Sequence, residues 1–303
     1  MNRALRLQRC GRRLAFLGLR TLVRATGFAH ARTAGSWLGE LRFRLAGGQR
    51  RRLLADMAHA LGRRPDDPLL PALLREAYRV NDGAVLEILA MFDRRQDEAE
   101  LAARCELDGL DHLRTALAEG RGVILLASHM GNAALAATRL AQAGWPVSVV
   151  YKESRMMSAG FLQRGLEHYG IQGILANAGI RAYGQMLTAL KQGRIVFMML
   201  DQGTKQAQDG MVLRFLGKDA PMPAGPAQLA RTARAPVLPL ATTAASPIWR
   251  FTIEPPQRLG QASLQADVEC LVGLTERHVL QRPQLWSWHQ RRWRKLPRAL
   301  QGP

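Results

Sequence analysis

From Gln49 to about Asp108, apolar residues recur at intervals of three and four, first in RRLLADMAHAL and then in PLLPALLREAYRVNDGAVLEILAMF. This is the spacing of helices that bury one face. Asp66, Asp67 and Pro68 punctuate the two. The polar stretch DRRQDEAELAARCELDGLDHL that follows predicts a short helical or loop insert. From Arg121 the period changes. Short, uniformly apolar runs, GVILLASH (122–129), PVSVVYK (146–152), RIVFMMLD (194–201), MVLRFLG (211–217), APVLPLATT (235–243) and WRFTIE (249–254), read as strands, most of them with no face left for water. Helical stretches at 132–143, 155–169, 181–192 and 224–234 alternate with them. Such alternation predicts an α/β fold, a central mostly parallel or mixed sheet covered by helices on both faces. Residues 49–303 form that domain, with 49–118 as its helical lead-in.

The first 48 residues have a different composition. Thirteen arginines and a single acid, Glu40, fall between Met1 and Arg52, interleaved with Leu, Phe, Val and Trp. They contribute heavily to a formal net charge of +19. Such a charge run has three common causes: solvated helix faces, a nucleic-acid partner or an anionic membrane surface. The Leu- and Phe-rich interleaving favours a basic amphipathic segment lying on an anionic membrane, and no nucleic-acid partner is expected. Its apolar core, LAFLGLRTLV, is interrupted by Arg20 and is shorter than the roughly 20 residues a membrane span needs. No small-residue cleavage site follows closely, so it is not read as a secretory signal. Cys10, Cys105 and Cys270 are scattered, which suggests neither a disulfide framework nor a zinc site.

Two segments end an apolar strand on polar residues, VILLASH-M-GN and VFMMLD-Q-G. In open α/β sheets the ligand crevice lies beyond the carboxyl ends of the strands. His129 at one end is a candidate general base, and Asp201-Gln202 at the other can face the same crevice. Each also has a bland reading: a structural hydrogen bond for His129, a turn cap before Gly203 for Asp201. Asn132 is suited to cap the helix that follows. The chain contains no GxxxxGK[ST], no GxGxxG after a strand, no GxSxG and no HExxH, so nucleotide-, serine- and zinc-based chemistry rank low and no cofactor or metal is expected. Near the C-terminus, RPQLWSWHQRRWRKLPR sets three tryptophans among basic residues, which suits either base stacking or a membrane interface.

Four stretches, in order, resemble the bacterial lipid A lauroyl/myristoyl acyltransferase family within the wider lysophospholipid acyltransferase superfamily. SHMGNAALAA resembles its His-x4-acid motif, VVYKESR its strand ending in Tyr-Arg, DQGTKQAQDGMVLRFLGKDAPMPAGPAQLARTARAPVLP its Asp-Gln to Ala-Pro-Val-x-Pro block, and RPQLWSWHQRRW its C-terminal Trp-x-Trp motif. The likeness runs from about residue 45 to 295. It implies transfer of a fatty acyl chain from acyl carrier protein, an acidic partner and co-substrate, to a hydroxyl of an anionic, lipid A-like lipid at the cytoplasmic face of the inner membrane. His129 would be the base. Lys152, Arg155 and Arg164 are candidates for the phosphate or head group, together with Gln202.

The chain departs from this pattern where the chemistry lies. The acid of the motif should stand at 134, and the residue there is Ala134, preceded by Ala133. Two threonines frequent in the third block are replaced by Met222 and Ala224. Losing the carboxylate that orients a catalytic histidine costs about four orders of magnitude in turnover in a serine-protease triad. Either Asn132, Glu153 or Asp201 takes over that work, or the chain is an impaired homologue that binds a lipid or a partner without turnover.

Overall fold

The computed structural model describes residues 3–152, 160–202, 210–290 and 293. A long basic helix, α1 (Arg3–Leu45), kinks at Gly27 and is followed by α2 (Gly47–Ala60), α3 (Leu69–Asp93) and the short α4 (Glu98–Ala102). Then come β1 (Cys105–Asp108), α5 (Leu110–Leu117), β2 (Val123–Ala127), α6 (Ala133–Gln142), β3 (Val147–Tyr151), α7 (Phe161–Glu167), β4 (Gln172–Leu175), α8 (Ile180–Lys191) and β5 (Ile195–Met199). The chain continues through a hairpin, β6 (Gly210–Phe215) and β7 (Lys218–Pro223), then α9 (Gly225–Ala233), β8 (Val237–Ala244), β9 (Trp249–Ile253) and α10 (Leu264–Gln281).

The main sheet has seven strands in the order β1-β9-β8-β2-β5-β3-β4, parallel throughout except for the β8/β9 pair. All five residues of β2 are buried, so side chains on both of its faces are covered. That is the mostly parallel α/β architecture the apolar runs imply. The structure corrects the reading of the polar stretch after α3, which contains a strand. Cys105–Asp108 pairs with β9 at the sheet edge, and its alternating burial over only four residues gives no uniform apolar run. Strands β4 and β7 and helix α10 are likewise additions to the pattern.

Helix α1 packs closely along α3. A Cβ at Gly35 or Gly39 would overlap the α3 backbone at Asp82, Gly83, Tyr78 and Arg79, so these glycines set the distance between the helices. Phe16, Val23, Phe28 and Ala31 of α1 are buried in the common core. Part of the basic run fastens this contact, since Arg20 and Arg24 pair with Asp93 and Arg42 with Asp82, and Glu40 of α1 pairs in turn with Arg75 of α3. Elsewhere α1 leaves Leu14, Leu17, Trp37, Leu41 and Leu45 exposed. Among the described residues no helix is long and apolar enough to cross a membrane.

Candidate active site

The parallel register of β2 and β5 places Ala127 beside Met199. His129 and Asp201 each stand two residues further along these strands, and thus meet beyond their carboxyl ends. The His129 Nδ1 lies 2.7 Å from Asp201 Oδ1, and the His129 backbone N–H donates to the same oxygen at 3.0 Å. Asp201 is fully buried. With Nδ1–H donating to the carboxylate, Nε2 carries the ring's lone pair, which accepts from the Gln202 side-chain amide at 2.9 Å.

The other Asp201 oxygen, Oδ2, accepts from Trp286 Nε1 at 2.8 Å. This overturns both sequence readings of the C-terminal tryptophans. Trp286 and Trp288 are buried, edge to face with centroids 4.8 Å apart, and serve as packing and as hydrogen-bond donors. Trp288 Nε1 donates to the Pro283 carbonyl at 2.7 Å. The same segment secures the backbone of the histidine loop. Ser287 N donates to His129 O and Gly131 N to Leu285 O, while Thr242 Oγ1 of β8 donates to Met130 O. Gly131 has φ 56° and lies so close to the Trp249 ring that a side chain would overlap it.

Asn132 caps α6 as expected, its Oδ1 accepting from Leu135 N at 3.1 Å. It does not orient the His129 ring through its amide oxygen. Its Nδ2 instead donates at 2.8 Å to Glu87, a fully buried carboxylate on α3 that also accepts from Trp249 Nε1 at 2.6 Å. Glu87 escaped the sequence reading, yet it left a trace: with Val80, Ala84 and Met91 it occupies the buried stripe of α3, where an acid is out of place.

Beside His129 opens a cavity of about 640 Å³. Its walls are mostly apolar, with Ile88 and Phe92 from α3, Val149 from β3, Met186 from α8, and Phe197 and Met199 from β5. Ala134 lines it next to the histidine, so the missing acid of the motif leaves a small apolar patch there. Lys152 and Gln202 also line it. Arg164 is exposed on α7 and is not among the lining residues. Arg155 and Glu153 lie outside the described residues. Among the described residues no group of three His, Cys, Asp or Glu side chains is placed to hold a metal ion.

A half-buried histidine at a strand end, with a carboxylate on one ring nitrogen, an amide on the other and a mostly apolar cavity alongside, is the arrangement of a base serving a lipid-like substrate. The sequence profile of bacterial lipid A biosynthesis acyltransferases matches residues 2–295. The chain belongs to this family. That family is one of acyltransferases. Curated relatives point the same way. A phosphatidylinositol mannoside acyltransferase of Mycobacterium tuberculosis (strain CDC 1551 / Oshkosh) is 27% identical over 250 residues, covering 80% of this chain and 76% of its own. The phosphatidylinositol mannoside acyltransferase of Mycolicibacterium smegmatis is 25% identical over 286 residues, covering 90% and 88%.

Proposed function

We propose that this acyltransferase moves a fatty acyl chain from the thioester of acyl carrier protein to a hydroxyl of an anionic glycolipid at a membrane surface, with His129 as general base and Asp201 as its partner. The observation that carries the reading is the 2.7 Å contact between His129 Nδ1 and a fully buried Asp201, with His129 and Gln202, the partner of its Nε2, both lining the cavity. His129 Nε2 takes the proton of the acceptor hydroxyl as its oxygen attacks the thioester carbonyl. When the tetrahedral intermediate collapses, the C–S bond breaks and the imidazolium returns the proton to the leaving thiolate. The products are an ester and a free thiol. Asp201 stabilises the transient imidazolium and fixes the tautomer. Gln202 occupies Nε2 at rest and is displaced by the hydroxyl, which leaves its amide free to donate to the developing oxyanion.

The cavity suits the acyl chain, since each buried methylene is worth about 0.8 kcal/mol. Lys152 at its lining supplies a cation for a phosphate on the acceptor. The relatives named for phosphatidylinositol mannoside favour an acceptor that combines a phosphate with sugar hydroxyls, of which a lipid A-like glycolipid is another instance. Exposed Leu14, Leu17 and Trp37 on α1, set among arginines, favour peripheral association with the inner face of the cytoplasmic membrane.

The test is transfer of a radiolabelled acyl chain from acyl carrier protein to membrane lipid extract by the purified full-length chain, beside His129→Gln. Label appearing in lipid with the unaltered protein, and falling at least a thousandfold (~10³, the scale of losing a triad member) in the variant, supports the reading. A folded protein that binds lipid and transfers no label would favour the impaired homologue implied by Ala134. Label moving equally well in His129→Gln would remove the base.

A further inference from the structure

A second cavity, which the acyl-transfer reading does not use, shares no lining residue with the catalytic one. It has a volume of about 600 Å³, sits between α1, α3 and the turn before β9, and is lined by Arg32, Arg44, Arg75, Arg79, Arg104 and Glu40. The ion pairing does not balance. Glu40 serves both Arg75, at 2.7 Å, and Arg44, at 2.9 Å, while Arg79 reaches the exposed Glu76 at 3.3 Å. Arg104 stands 3.9 Å from Glu87, a carboxylate already engaged by Asn132 and Trp249, and its Nε is buried without a hydrogen-bond partner. Arg32 has no salt bridge among the described residues. Its guanidinium lies over the Trp249 ring, 4.5 Å from the centroid. Five guanidiniums thus face three carboxylates, a surplus of two positive charges in a half-enclosed space. Burial lowers the Arg32 pKa from its ordinary value; the charges of Glu87 and Glu76 oppose that shift in part, and the neighbouring Arg104 adds to it.

We propose that this cavity is a phosphate-binding site, with Arg32 and Arg104 as its principal ligands and Arg79 at its rim. Burying cations without counter-charge is costly, and an anion in the cavity removes that cost. Phosphate fits better than a carboxylate for two reasons. Its oxygens accept from guanidiniums arriving from several directions, each as a planar fork. Inorganic phosphate, with between one and two negative charges, matches the surplus, and a phosphodiester, with one, offsets half of it. Trp37 lines the cavity and is 74% exposed, and Leu41 and Leu45 continue an exposed apolar stripe from it along α1. The stripe provides for the tails of a lipid phosphodiester, while the polar cavity itself suits free phosphate.

The test is isothermal titration of the full-length chain with two probes, inorganic phosphate and dihexanoyl phosphatidylglycerol. Saturable binding with one site per chain is expected for at least one of them. Binding should weaken ~10-fold in Arg32→Gln and in Arg104→Gln, the scale of hydrogen bonds to a charged group. It should be unchanged in Arg121→Gln/Arg258→Gln, a control in another arginine-lined cavity near the start of β2. Binding of both probes, or of the lipid alone, identifies a head-group site; binding of inorganic phosphate alone identifies a site for the free ion. Circular dichroism checks that each variant folds. Should Arg32→Gln unfold, Arg32→Lys, which keeps the charge but loses the fork, and the exposed Arg79→Gln are each expected to weaken binding. No saturable binding of either probe, or equal weakening in the control, overturns the proposal.

Discussion

His129 and Asp201 occupy equivalent positions beyond two neighbouring parallel strands, and the carboxylate accepts from both the ring Nδ1 and the backbone N–H of the histidine. One acid therefore fixes the loop and the ring together. Trp286 Nε1 holds its second oxygen, so the carboxylate has no freedom to turn away.

Asp201→Asn is expected to lower kcat for acyl transfer by about 10³–10⁴-fold with KM little changed. The amide keeps the shape but presents the ring with no charge and allows the wrong tautomer. Asp201→Ala should behave similarly in kcat and also lower stability by about 1–3 kcal/mol, because it strands the buried Trp286 N–H. Urea unfolding beside the rate assay separates the two effects. A kcat within a few-fold of the parent in Asp201→Asn would show that the pair is structural.

Restoring the acid of the motif by Ala134→Glu is expected not to raise turnover. Nδ1 of His129 is already taken by Asp201, and residue 134 lines a mostly apolar cavity. A carboxylate there loses hydration, which neutralises it or costs stability unless it reaches Lys152 on the same cavity's lining. Single-turnover rates of the two proteins at saturating acyl donor decide this, and a gain of tenfold or more would restore the motif acid as the natural partner.

The sequence made the strand ends legible because β2 and β5 are uniformly apolar and each stops on a polar pair. Which carboxylate serves His129 was not legible, since that depends on strand order. Strands β2 and β5 are neighbours in the sheet although β3 and β4 lie between them in the chain. The edge strand Cys105–Asp108 was hidden by its brevity and its alternating polarity. The C-terminal tryptophans misled for a related reason. Arginines and an indole-rich motif suggest a surface, but burial of Trp286 and Trp288 is decided by partners distant in sequence, Phe215, Asn81 and Asp201 among them, which leave no local signature. Glu87 stood out of pattern on an apolar helix face, and its partners Asn132 and Trp249 are distant in sequence.

Glu87 is expected to be a determinant of stability. Glu87→Ala leaves the Asn132 amide and the Trp249 N–H without their acceptor and the Arg104 guanidinium without the carboxylate 3.9 Å away, and should cost about 3–5 kcal/mol, the scale of breaking a buried charged pair. Glu87→Gln retains one carbonyl acceptor and should cost less. Because Asn132 caps the helix directly after the histidine loop, Glu87→Gln should also lower kcat modestly across the pH range. Urea midpoints and the pH–rate profile of both variants test this, and a Glu87→Ala protein as stable as its parent would remove the role.

His278 gives the fold a defined response to mild acid. The ring is 5% exposed on α10, and burial lowers its pKa, while Glu254, 3.0 Å from Nε2, opposes that shift and Arg277 adds to it. The unfolded chain holds this proton with a pKa of about 6.5. Between that value and the lower folded value the unfolded state binds more protons, so stability falls as the pH drops through this window. Above about pH 7.5 the histidine is neutral in both states and contributes no slope. His278→Gln, which is neutral at every pH, should therefore lose less stability between pH 7.5 and pH 5.5 than the parent. Urea midpoints at the two pH values measure the difference, and an identical loss in both proteins would place the acid sensitivity on other groups.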